Sequence, residues 1–132
     1  AGGHVAIILN RLRLFGILEL NPDLPIVAWS AGSMALADQI VLFHDHPPHG
    51  KGNPEVLRAG MGLFHEILPL PDAEQRLDLD DQLRVIMLSR RFIPYGCVCL
   101  NPHSILDRHR GHWLHENCQR LKVDGCVEEL SP

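Results

Sequence analysis

Ser30 stands at the end of a short apolar run, and small residues follow it: residues 25–36 read PIVAWSAGSMAL. A serine between a strand and a helix can be held in a sharp turn when its neighbours are small, as in the nucleophile elbow of serine hydrolases. The N–H groups at the start of the following helix then help to stabilise an oxyanion. An ordinary helix N-cap is the other interpretation of the same serine, and the pentapeptide AWSAG alone favours neither.

Histidine is the second residue type that could do chemistry, because the chain contains nine of them. His44, His46 and His49 surround Asp45 in a stretch rich in proline and glycine, a composition compatible with a metal site or with simple loop polarity. We favour loop polarity, because such a loop fixes no ligand geometry, and we predict neither a metal nor a cofactor. The later histidines are expected on a solvated surface: His103, His109, His112 and His115.

The composition describes one globular domain over residues 1–132, with 45% hydrophobic and 21% charged residues. A net charge of −4 without a basic run argues against nucleic acid as a partner. The longest apolar runs are far shorter than the ~20 residues of a membrane-spanning helix, so we predict no membrane partner. The four cysteines lack the C-x2-C spacing of zinc sites, and no secretory signal precedes them. These features predict a cytoplasmic protein with reduced thiols.

Hydrophobic periodicity predicts the elements that must position Ser30. An amphipathic helix is expected over residues 3–15, a buried strand over 25–29, and a helix over 31–38. The expected elements that follow are a strand over 39–43, a loop over 44–62, a strand over 63–70, a helix capped by Asp78, a strand over 95–100, and a hairpin at Asp124-Gly125. This order predicts an α/β fold with a mostly parallel sheet flanked by helices and a C-terminal antiparallel hairpin.

The segment IVAWSAGSMAL resembles the nucleophile region of the peptidase E and cyanophycinase group of serine peptidases. That group has the class I glutamine-amidotransferase-like fold, which is flavodoxin-like. The motif Gly2-Gly3-His4 and the acidic residue in FHDHPP also resemble the group, over roughly residues 2–73. The resemblance implies that Ser30 is the nucleophile and that the N–H groups of Gly3 and Ala31 form the oxyanion hole. It further implies that Asp45 is the acidic residue and that His4 contacts the substrate, although a place at a helix N-terminus would also explain His4.

The general base is where the sequence departs from that group. The group has a histidine after a stretch that reads MGLFHEILPLPDA here, and Asp72 occupies its place. A carboxylate with a pKa near ~4 is too weak a base towards serine at neutral pH. We therefore predict His65 as the base, with one of the three histidines around Asp45 as the alternative. A third possibility is that the triad is incomplete.

Two functions follow from the resemblance. The first is a serine hydrolase of peptidase E type that cleaves a small peptide or amide through an acyl-enzyme at Ser30. The second is a catalytically inactive binding module of the same fold, in which Asp72 replaces the base. The resemblance also implies that the chain is the C-terminal part of a longer domain. Either the missing N-terminal segment, a partner chain or a homo-oligomer is then expected to cover apolar surface on the sheet and on the first helix.

Overall fold

The computed structural model of the protein describes residues 2–19, 24–43 and 55–130, with the backbone alone for residues 55–58. In chain order the elements are α1 (Val5–Leu14), a 3-10 turn (Ile17–Glu19), α2 (Ala31–Leu36), β1 (Gln39–Leu42), β2 (Glu55–Ala59), β3 (Ile67–Pro71), α3 (Ala73–Leu77), α4 (Gln82–Arg91), β4 (Gly96–His109), β5 (His112–Leu121) and β6 (Val127–Glu129). Two helices begin this order, three strands follow them, α3 and α4 come next, and strands fill the last third of the chain.

The main sheet has the order β3-β4-β5-β6 and is mixed. β3 and β4 run parallel, from Ile67 opposite Gly96 to Pro71 opposite Leu100, and the other two pairs are antiparallel. β1 and β2 form a separate antiparallel pair. The α/β class is therefore confirmed, but the described strands contain one parallel pair, and a mostly parallel flavodoxin-like sheet is not confirmed.

The C-terminal hairpin is confirmed, because β5 and β6 pair across the Asp124-Gly125 turn. A second hairpin joins β4 to β5 through Arg110-Gly111, where both residues have positive φ (48° and 84°), as a type I′ turn requires. A bulge between Leu100 and Ile105 divides β4 into a sheet half and a hairpin half.

The first helix lies where the periodicity predicts it, and the last helix starts later than predicted. Asp81 caps α4, because its carboxylate accepts hydrogen bonds from the N–H groups of Leu83 (3.0 Å) and Arg84 (3.2 Å). Asp78 instead follows α3 in a left-handed conformation (φ 57°). The prediction of Asp78 as the cap was wrong because several Asp residues precede this helix, and composition does not distinguish among them.

Two further predictions about elements were wrong. Residues 25–29 form no strand, and within them the side chains of Val27 and Trp29 are 84% and 63% exposed. An apolar run is a buried strand only when neighbouring strands pair with it, and no described strand does so. The predicted loop over 44–62 contains β2 at its end, while residues 44–54 lie outside the described part of the chain.

The core brings together buried side chains from all four α-helices, from β1 and β3, and from the first half of β4. Its large fully buried side chains are Leu9, Ile40, Leu68, Leu70, Leu77, Leu88, Val41 and Val85. Gly60 allows the chain to pass close to the end of α2, because a Cβ there would lie 2.1 Å from the carbonyl oxygen of Ala37. This close approach fixes α2 against the segment that leads into β3.

Candidate functional site

Ser30 has a strained backbone at the turn into α2. Its φ and ψ are 52° and −132°, a region that residues with a side chain rarely occupy. The residue is exposed, whereas Ala31 and Gly32 behind it are buried. Its side chain makes no cap hydrogen bond, so Ser30 does not act as a side-chain N-cap. Ser30 is thus a strained residue followed at once by buried small residues and a helix, with no strand before it in the described residues.

The expected oxyanion donors lie at the starts of two helices that pack together. The N–H of Ala31 belongs to the first turn of α2, whose N–H groups have no partner within the helix. Gly3 has φ 114° and lies just before α1, which packs against α2. His4 caps α1, with its Nδ1 accepting a hydrogen bond from the N–H of Ala6 at 3.3 Å. Its place at the helix terminus thus accounts for His4, and a contact with substrate stays a prediction.

Helix α2 separates two groups of polar residues, with Ser30 at its start and Asp38 just beyond its end. Residues 61–64 are hydrogen-bonded to its last turn, for example from the N–H of Met61 to the carbonyl of Ala35 at 2.9 Å. β3 begins soon afterwards and packs against α2.

His65 is held at the Asp38 end. Its Nδ1 lies 3.3 Å from Oδ1 of Asp38, and the Tyr95 hydroxyl donates to Oδ2 of the same carboxylate at 2.5 Å. The hydrogen bond from Tyr95, and to a smaller extent His65, hold the pKa of Asp38 below its ordinary value, and the bond to Asp38 raises the pKa of Tyr95. Because Tyr95 directly precedes β4, this carboxylate joins the end of α2 to the beginnings of both parallel strands.

Glu66, which directly follows His65 in the sequence, has a different partner. Its Oε1 lies 3.3 Å from the guanidinium of Arg108, which also donates to the carbonyl of Leu63 at 3.0 Å. Hydrogen bonds from its own N–H and from that of His65, together with the charge of Arg108, lower the pKa of Glu66. Asp38, and not Glu66, is therefore the carboxylate that orients the His65 imidazole.

Asp72 lies at the other end of β3 from His65. It follows the last residue of the strand in a left-handed conformation (φ 58°, ψ 40°), and its side chain makes no cap hydrogen bond to α3. The resemblance expects a histidine at this position of the sequence. Within the described residues, no hydrogen bond joins Ser30 to His65 or to Asp72. Asp45, His44, His46 and His49 lie outside the described residues.

Asp38 and Tyr95 are the polar residues that sequence analysis missed. Tyr95 is the only tyrosine of the chain, and neither residue belongs to a recognisable motif. The signal that links them is the parallel pairing of β3 with β4, which places the residue before β4 beside the end of α2. That pairing is a tertiary property and is not visible in local spacing.

The described residues contain neither a candidate metal site nor a candidate membrane-spanning helix. No group of three or more His, Cys, Asp or Glu side chains in residues 2–19, 24–43 and 55–130 could hold a metal ion. No helix in those ranges is long and apolar enough to cross a membrane.

Comparison of the chain with family models, curated proteins and solved structures finds no match.

Proposed function

We propose that the protein is a serine hydrolase of the peptidase E type, acting on a small peptide or amide with Ser30 as its nucleophile. The observation that carries the proposal is the backbone of Ser30 at φ 52° and ψ −132°. Strain of this kind costs about 1–3 kcal/mol and persists where the surrounding fold imposes it, which is most often at functional sites. A residue that served only as a helix cap needs no such strain.

The reaction would form an acyl-enzyme. The Ser30 hydroxyl loses its proton to a base and attacks the carbonyl carbon of the substrate, and the tetrahedral oxyanion accepts hydrogen bonds from the N–H groups of Ala31 and Gly3. The protonated base then donates to the leaving amine, and water hydrolyses the acyl-enzyme. We also propose that the sheet has the arrangement of the class I glutamine-amidotransferase-like fold.

A histidine must act as the base in this reaction. His65 remains the predicted residue, and its side chain is 67% exposed. To reach Ser30 it must leave Asp38, since that pair lies at the other end of α2. His44, His46 and His49 are the alternative bases, and Asp45 is the predicted acidic partner.

A second candidate function is a binding module that keeps the elbow and has lost its base. The observation that favours it is Asp72, which directly follows β3 without a cap hydrogen bond and stands in the sequence where the peptidase E group has its histidine. An aspartate there cannot remove the serine proton at neutral pH. The carboxylate would instead bind a donor group of a ligand that rests on the oxyanion hole.

Labelling with a fluorophosphonate probe distinguishes the two functions. The hydrolase predicts labelling that is lost in Ser30→Ala and kept in Ser33→Ala, a control serine three residues along the same helix. Loss of labelling in His65→Ala would identify the base, and retention would transfer that role to the three histidines around Asp45. No labelling of the parent, with labelling gained in Asp72→His, would support the binding module and overturn the hydrolase.

A further inference from the structure

We draw no further inference here: the strongest candidate, the exposed face of the hairpin formed by β4 and β5 around Ile105 and Leu114, carries none, because nothing in the structure shows what covers it.

Discussion

The two ends of α2 differ in how their polar residues are held. At the start of the helix, Ser30 has a strained backbone, and its exposed side chain makes no cap hydrogen bond. Beyond the end of the helix, Asp38 accepts a hydrogen bond from Tyr95 and faces the His65 imidazole. An aspartate–histidine pair on its own resembles catalytic machinery, yet here it joins three segments of the scaffold. Under the proposed function, the strained and exposed Ser30 marks the reactive end of the helix, whereas the hydrogen-bonded Asp38 marks its structural end.

The largest effect is expected from Gly60→Ala at the structural end. The added Cβ would lie 2.1 Å from the carbonyl oxygen of Ala37 and 3.0 Å from that of Ala35, and backbone atoms cannot turn away as a flexible side chain can. We expect a loss of about 3 kcal/mol in the free energy of unfolding, measured by urea denaturation. Gly2→Ala is the control, because a Cβ there meets nothing within 4 Å, and its effect should be small. Equal stabilities of the two variants would show that α2 is not fixed by this approach.

A smaller effect of opposite sign is expected at the reactive end. Glycine adopts positive φ without steric cost, so Ser30→Gly should raise the free energy of unfolding by about 1 kcal/mol. This gain is the strain energy relieved minus the free-energy cost of the conformational entropy that glycine loses on folding. Ser33→Gly, inside α2, should lower the free energy of unfolding by about 1 kcal/mol through loss of helix propensity. Both are measured by the same urea titration. If the two glycine variants shift stability in the same direction, Ser30 is not strained.

Tyr95→Phe should lower the free energy of unfolding by a smaller amount than Ser30→Gly raises it, and this loss should depend on pH. The pKa of Asp38 is lowered in the folded state, so its ionised form stabilises the fold at pH values above about 4 and this contribution is lost as the pH falls below that. The hydrogen bond to Asp38 raises the pKa of Tyr95, so its hydroxyl stays protonated and donates at neutral pH. Melting temperatures of parent and variant should therefore differ between pH 5 and 9 and converge in acid. A constant difference down to pH 2 would contradict the role of Asp38.

His65→Ala should have the smallest effect on stability of these changes. The imidazole is two-thirds exposed, and isolated exposed ion pairs contribute little to folding. We expect the melting temperature at pH 7 to lie close to that of the parent and clearly above that of Tyr95→Phe. A larger loss in His65→Ala than in Tyr95→Phe would mean that the imidazole, and not the tyrosine, holds the Asp38 carboxylate in place.

Local patterns predicted the elements whose signals are complete within a few residues. The apolar spacing of α1, the turn dipeptide before β6 and the strand that contains Cys97 and Cys99 all appear where expected. Cys97 and Cys99 are buried in the core, and burial raises the pKa of both thiols to about 12.

Features that depend on distant residues were not predictable in this way. Residues 25–29 look like a buried strand because apolar residues favour burial. A strand also needs a partner strand, however, and composition does not specify one. β4 extends to fourteen residues because β5 pairs with its second half, although Asn101, Pro102 and His103 in its middle are poor strand formers. The elbow could be proposed from AWSAG alone, but the backbone angles of Ser30 could not.

The most direct test of the account is to locate the fluorophosphonate adduct by peptide mass spectrometry in the parent and in Asp72→His, with Asp72→Asn as the control for loss of charge alone. The account predicts one adduct, on Ser30, in the parent or in Asp72→His, and none on Ser33 of the same helix. An adduct in the parent identifies a hydrolase, and an adduct confined to Asp72→His identifies an elbow that has lost its base. Absence of a Ser30 adduct from both proteins would contradict the central claim that this turn is a nucleophile site.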